Sequence, residues 1–146
     1  MAEEEVLWEG RPSHISNLHN YIIYILISVG TFGFGLIFAG PMMLWTYLVV
    51  RSMKYKLTTE RLITSTGVLN VTEDELELYR VHDARVSYPL FLRLFGLGNI
   101  EIVTTDHTTS WIQIRAIPDA KEVREAVRTH VEKRRAATET RELEVS

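Results

Sequence analysis

The sequence predicts an α+β, mainly β protein in which a two-helix transmembrane hairpin precedes an antiparallel β domain closed by a C-terminal helix. Three observations predict this fold. Residues 12–50 contain no Asp, Glu, Lys or Arg, residues 55–114 alternate apolar with polar side chains in several segments, and residues 119–135 carry valines at helical spacing. The expected domains are an N-terminal segment at 1–13, the hairpin at 14–50, the β domain with its helix at 51–135, and a disordered tail at 136–146.

The uncharged stretch is too long for a buried helix of a small domain, which usually needs only about 10–14 apolar residues. A bilayer core about 30 Å thick takes about 20 helical residues to cross, and about 17 are sufficient. Residues 15–30 and 35–50 therefore suit two short spans, and the glycines at 30, 33 and 35 allow a tight reversal between them. A single tilted span is the alternative interpretation.

Charged residues on both sides of the hairpin predict its orientation. Basic residues concentrate on the cytoplasmic side of membrane proteins. Arg11 precedes the uncharged stretch, and Arg51, Lys54 and Lys56 follow it. The sequence therefore predicts a multi-pass protein of the plasma membrane with both termini cytoplasmic, in contact with membrane lipids through the hairpin. A cleaved signal peptide is not expected, because residues 3–5 are acidic and the apolar run is too long.

The composition argues against several classes of function. The chain has no cysteine, so it has no disulfide framework, no thiolate nucleophile and no cysteine-bound metal. Basic and acidic residues balance beyond residue 50, which argues against a nucleic-acid partner because phosphate binding generally needs a clustered basic face. The histidines lack the spacing of a helical zinc site, and neither a phosphate-binding glycine loop nor a nucleophile elbow occurs. We therefore expect a protein that is not an enzyme, with no catalytic residue, no metal and no cofactor.

The β domain is predicted element by element from the alternation of apolar and polar residues and from turn residues. Gly67, Gly96 and Gly98 are expected to serve turns. Thr58 is expected to bond the backbone of a turn in which Glu60 pairs with a neighbouring arginine. The predicted elements are strands at 55–58 and 61–66, a strand near 75–81, a strand at 84–88, a helical turn at 90–95, strands at 99–105 and 110–114 around a turn at 106–109, and a helix at 119–135 with Val123, Val127 and Val131 on one face.

A membrane hairpin followed by strands and a closing helix resembles the bacterial pleckstrin-homology-like (PH-like) family, also described as membrane-flanked domains. The resemblance implies a small, strongly bent antiparallel β-sandwich or barrel capped by the helix, and it covers almost everything except the tail. Tyr79 departs from the family, whose members often have a proline nearby. The matching segments are residues 7–13 (LWEGRPS), 55–62 (YKLTTERL) with Gly67, 80–83 (RVHD), 93–100 (RLFGLGNI) and 117–119 (IPD).

The functional interpretation is a non-catalytic, membrane-tethered scaffold or adaptor whose PH-like domain binds a protein segment at an exposed strand edge or groove. Its partner would be a protein in the same membrane or a second copy of the chain. One alternative is recognition of anionic lipid headgroups by the basic juxtamembrane strand, and a further one is an accessory subunit of a membrane complex. The possible lipid or partner contacts are Arg51, Lys54, Lys56, Arg61, Arg80, Arg85 and Arg93.

Overall fold

The computed structural model describes residues 4–105, 107–108 and 110–145. Within these residues the chain forms two antiparallel sheets, an N-terminal pair of helices and a long C-terminal helix. A 3₁₀ turn at His14–Asn17 precedes the first helix, and a second 3₁₀ turn at Leu78–Arg80 joins the two sheets. In chain order the elements are β1 (Val6–Gly10), α1 (Leu18–Gly30), α2 (Leu36–Ser52), β2 (Lys54–Thr58), β3 (Arg61–Thr66), β4 (Thr72–Glu77), β5 (Val81–Ser87), α3 (Leu90–Leu94), β6 (Gly98–Thr104), β7 (Trp111–Ile117) and α4 (Ala120–Val145).

The register of the two sheets places their apolar residues on one shared core. The first sheet has the order β1-β2-β3-β4 and the second the order β5-β6-β7. Leu62 of β3 lies opposite both Leu57 and Leu76, and Ile102 of β6 lies opposite Ile112. These side chains are buried because alternate residues of a strand point to the same face.

The C-terminal helix covers this core with the valine stripe that the sequence predicts. Val123, Val127 and Val131 are buried in the same cluster as the strand residues, together with Ala120. Asp119 accepts the backbone hydrogen bond of Val123 at 2.9 Å, which begins the helix at the predicted position. The α+β architecture with antiparallel strands and a closing helix is therefore confirmed.

The predicted transmembrane hairpin is wrong. Among the residues that the structure describes, none of the helices has both the length and the apolar character needed to cross a membrane. α1 has 13 residues and α2 has 17. At about 1.5 Å per residue these helices measure about 20 and 26 Å, against a hydrocarbon core of about 30 Å. The same finding contradicts the prediction of a multi-pass plasma-membrane protein with both termini cytoplasmic.

The two short helices still form a hairpin, and its turn lies at residues 31–35 as the sequence predicts. Thr31 stabilises the turn, because its Oγ1 donates to the carbonyl of Ile27 at 2.8 Å and accepts from the N–H of Gly35 at 2.8 Å. Gly33 has a φ of 91° there, which glycine adopts without steric cost. At the open end, the rings of His14 and Tyr47 stack with their centroids 4.6 Å apart.

Two segments differ from the sequence prediction. The N-terminal segment contains β1, which pairs antiparallel with β2. The tail expected to be disordered from residue 136 is helical as far as Val145, and it contains good helix formers such as Ala, Glu, Arg and Leu. Ser146, and Asp106 and Thr109 of the predicted 106–109 turn, lie outside the described residues.

Candidate functional site

A groove runs between the outer edge of β5 and one side of α4. In the described part of the chain, β5 pairs with β6 on one side and with no strand on the other. Helix α4 packs beside β5, and together they enclose a cavity of about 360 Å³. We call this cavity the β5–α4 groove, and it is lined by residues 81–84 of β5 and by side chains of α4 between residues 124 and 135.

A β-bulge shapes the strand side of the groove. The pairing of β5 with β6 shifts between Val81 and Asp83, so that His82 is the extra residue. A bulge of this kind bends the strand and interrupts the hydrogen-bond ladder. The carboxylate Oδ1 of Asp83 accepts a hydrogen bond of 2.8 Å from the backbone N–H of Ala84, the residue that follows the bulge. A short side chain therefore occupies one backbone donor of this strand.

Arginine side chains line the helix side of the groove. Arg124, Arg128 and Arg135 all belong to it, and a guanidinium nitrogen of Arg135 donates to the backbone carbonyl of Val81. The Nε of Arg128 lies 3.5 Å from a carboxylate oxygen of Glu132, and both side chains are 70% exposed. Exposed ion pairs of this kind contribute only about 0–1 kcal/mol. The groove therefore contains charged groups that a ligand can approach from solvent.

The structure brings two of the sequence-predicted contact residues together. Lys54 and Lys56 alternate along β2 and line a second cavity, of about 560 Å³, with Arg11. We call this cavity the basic groove, although Glu9 and Glu73 also line it. Lys56 Nζ lies 3.8 Å from a carboxylate oxygen of Glu9. Arg11, which the sequence suggests only as a topology signal, is thus a neighbour of both lysines.

Arg61 forms ion pairs with two glutamates of the same domain. Its Nη1 lies 2.8 Å from Glu75 and its Nε 3.0 Å from Glu4. The hydrogen bond that Arg61 donates to the carboxylate of Glu75, followed by the negative charge of Glu4, raises the pKa of Arg61 above its ordinary value. Arg61 therefore links β3 to β4 and to the N-terminal segment.

The remaining predicted contacts lie apart from the basic groove. Arg51 lies in the last turn of α2 and donates to the hydroxyl of Tyr47 at 3.0 Å. Arg80 lies in the second 3₁₀ turn, where its Nε donates to the hydroxyl of Tyr79 at 3.3 Å. Arg85 belongs to β5 and Arg93 to α3. A role in lipid or partner contact stays a prediction for these residues and for Lys54 and Lys56.

The sequence analysis missed the arginines of the β5–α4 groove. Arg124 and Arg128 each follow a core valine by one residue in a helix whose charges look like an ordinary solvated face. Their spacing of four residues indicates one helix face. That β5 lies beside this face depends on packing between segments about 50 residues apart, for which the local pattern carries no signal.

Chemically, the described residues offer binding groups and no assembled metal site. No group of three or more His, Asp or Glu within residues 4–105, 107–108 and 110–145 is arranged to hold a metal ion. The two grooves instead combine guanidinium, ammonium and carboxylate groups with exposed backbone at the β5 edge. Such groups bind peptides or anions by hydrogen bonds and ion pairs.

Comparison with known families agrees with this architecture. The family described as bacterial PH domain matches residues 21–131. The chain therefore belongs to the bacterial PH domain family, which confirms the PH-like part of the resemblance but not its membrane-protein part. PH domains are generally non-catalytic binding modules. The chain has no match among the curated proteins or among the solved structures.

Proposed function

We propose that the protein is an adaptor or scaffold that binds a segment of a partner protein in the β5–α4 groove. The observation that supports this proposal is the outer edge of β5, which lies beside α4 and pairs with no other strand among the described residues. An extended segment placed there adds a strand to the sheet. Main-chain hydrogen bonds then provide affinity, and alternate side chains provide specificity.

The dimensions of the groove suit a single short segment. Four of the seven residues of β5, 81–84, line the groove, and at about 3.3 Å per residue they offer about 13 Å of strand edge. Helix α4 packs beside this edge, and the cavity between them has a volume of about 360 Å³.

Nuclear magnetic resonance of the isotope-labelled full chain tests the proposal. The ligands are three synthetic decapeptides in which valine alternates with glutamate, threonine or lysine. We expect at least one peptide to shift the backbone amide signals of β5, while those of β4 stay in place. β4 is the matched control because it is also an edge strand, in the other sheet. Equal shifts at both edges, or no shift at β5 with any of the three peptides, would contradict the proposal.

A second candidate function is recognition of anionic lipid headgroups, and the basic groove favours it. Arg11, Lys54 and Lys56 line this groove close to the start of β2, immediately after α2. A basic residue near an anionic membrane surface contributes about 1 kcal/mol of attraction. Three such residues in one cavity form a suitable contact for a phosphate-bearing headgroup.

The apolar hairpin supports the same candidate. Its side chains are exposed on more than one side of each helix, and Phe32 at the turn and Phe38 are 97% and 81% exposed. Large exposed apolar patches mark sites of interaction. Lipid covers all sides of a short hairpin at once, whereas a single protein surface covers one side. In this proposal the hairpin contacts lipid from one face of a bilayer and does not cross it.

Binding to vesicles distinguishes the contribution of the basic groove from that of the apolar hairpin. We expect stronger binding to vesicles of phosphatidylcholine with phosphatidylglycerol than to phosphatidylcholine alone, and this excess should fall with salt because salt screens exposed charges. The double variant Lys54→Glu, Lys56→Glu should lose the excess. The control variant Lys121→Glu, Lys133→Glu makes the same charge change on α4 and should keep it. Equal loss in both variants would show a net-charge effect and would contradict a headgroup site in the basic groove.

A further inference from the structure

We infer that the segment bound in the β5–α4 groove is acidic, an inference that rests on the proposed function. Three arginines line the groove, whereas its carboxylates are those of Asp83 and Glu132. The groove therefore has an excess of positive charge in a domain whose basic and acidic residues otherwise balance. Charge complementarity of this kind favours partners of the opposite sign.

The spacing of the arginines matches an extended acidic segment. Arg124 and Arg128 are separated by one helical turn, which is a rise of about 6 Å. Alternate residues of an extended strand point to the same face and are about 6.8 Å apart. Carboxylates at alternate positions of an added strand therefore meet successive arginines of α4. Arginine suits this contact because its planar guanidinium binds a carboxylate through two parallel hydrogen bonds.

Two of the three arginines retain donors for such a segment. A terminal guanidinium nitrogen of Arg124 pairs with the carboxylate of Glu125, while its Nε is shielded from solvent and has no hydrogen-bond partner among the described residues. Arg128 is held only by the exposed contact with Glu132. Arg135 has a different position, because it donates to the carbonyl of Val81 and so marks one end of the available strand edge.

The two carboxylates of the groove oppose an acidic segment. Glu132 competes for Arg128, and Asp83 occupies the backbone N–H of Ala84. Removing the charge of Glu132 should therefore strengthen binding, while removing that of Arg128 should weaken it. The two substitutions should therefore change the affinity for the peptide in opposite directions, although both residues lie on one exposed face of α4. A general change in stability would not produce this difference.

Fluorescence anisotropy with labelled peptides tests the inference on the full chain. The peptides are the glutamate–valine, threonine–valine and lysine–valine decapeptides. We expect the glutamate peptide to bind about three- to tenfold more tightly than the threonine peptide, as two exposed ion pairs would produce. Arg128→Gln should reduce its affinity about threefold, and Glu132→Gln should raise it by a similar factor. Lys133→Gln is the matched control, since it removes one positive charge from α4 outside the groove.

The outcomes separate this inference from the proposed function. If the lysine or threonine peptide binds as tightly as the glutamate peptide, or if Arg128→Gln changes affinity no more than Lys133→Gln, the acidic preference is wrong. The proposed function then stands as long as one of the peptides shifts the β5 amide signals. If none of the three peptides binds, both the inference and the proposed function are wrong.

Discussion

The side-chain oxygen of Asn99 accepts a hydrogen bond of 2.8 Å from the backbone N–H of Ala116. This bond joins β6 and β7 where their pairing is irregular, since the register shifts between Gly98 and Ile100. Ala116 has a φ of 47°, which residues with a side chain rarely adopt. Its carbonyl in turn accepts from the N–H of Ser13 at 2.9 Å. Asn99 therefore holds the strained residue to which the segment before α1 is attached.

Replacing Asn99 with alanine should lower the free energy of unfolding by about 1–3 kcal/mol, because the N–H of Ala116 would lose its partner in a shielded position. Urea denaturation of the full chain measures this change. Asn70→Ala is the control, because Asn70 is exposed in the turn before β4. Equal effects of the two substitutions would show that the contact with Ala116 does not stabilise the fold.

Gly67→Ala should destabilise the protein more than Gly96→Ala. Both glycines have a positive φ, of 118° and 70°. A Cβ on Gly67 would lie 1.9 Å from the carbonyl oxygen of Asn70, whereas a Cβ on Gly96 would meet nothing within 4 Å. Gly96→Ala should therefore cost about 1–2 kcal/mol of backbone strain alone, and Gly67→Ala should cost more. Thermal denaturation of both variants checks the order, and a smaller loss for Gly67→Ala would contradict the steric argument.

Thr58→Val should cost about 1–3 kcal/mol of stability because it leaves the partly buried N–H of Arg61 without its acceptor. Thr58 is 3% exposed. Its hydroxyl oxygen accepts from the N–H of Arg61 at 3.0 Å and donates to a carboxylate oxygen of Glu4 at 2.7 Å. Thr72→Val is the control, because Thr72 is exposed at the first position of β4. Chemical denaturation measures both, and a loss of less than about 0.5 kcal/mol for Thr58→Val would contradict this role.

Tyr55→Phe should make the protein less sensitive to alkaline pH. Tyr55 is 4% exposed, and this burial raises the pKa of its hydroxyl above the ordinary 10.0, with a partial offset from the backbone hydrogen bond and charge of Arg115. Above about pH 10 the unfolded chain loses this proton while the folded chain keeps it, so stability present below that pH falls as the pH rises.

The measurement is the free energy of unfolding at about pH 9 and about pH 11 for the wild type and for Tyr55→Phe. The wild type should lose more stability between the two values than the variant. Tyr79→Phe is the control, because Tyr79 is partly exposed. A loss of equal size in Tyr55→Phe and the wild type would show that Tyr55 does not cause the alkaline sensitivity.

Local patterns were sufficient for much of the β domain. The hairpin of β2 and β3 and its turn were predicted from alternation and from Thr58, whose hydroxyl bonds the turn as expected. Glu60 was expected to pair with a neighbouring arginine, and it pairs instead with Arg134, at 3.7 Å. Arg134 is distant from Glu60 in the sequence, so the residues of the turn could not identify it as the partner.

Gly98 shows where such patterns fail. We expected it to serve a turn, but it lies at the start of β6. A Cβ at this position would lie 2.7 Å from the ring of Tyr88 and 3.0 Å from the Cβ of Ala120. The requirement for glycine is therefore close packing against two distant residues, rather than a turn.

The sequence by itself determined the period of each element, because side-chain spacing along a helix or strand is a property of neighbouring residues. It therefore predicted the valine face of α4 and the pairing of β6 with β7. It also placed two apolar helices around residues 31–35, although their lengths contradict the membrane crossing that we expected.

Only the tertiary structure decided which edges and faces meet. β5 lies against α4, and Arg135 reaches the carbonyl of Val81 across 54 positions of sequence. The N-terminal β1 pairs with β2 across the intervening hairpin. These contacts depend on how the whole core packs, because the residues of a short segment do not indicate which distant segment it will contact. For this reason the valine face of α4 could be predicted from the chain, whereas the groove that α4 forms with β5 could not.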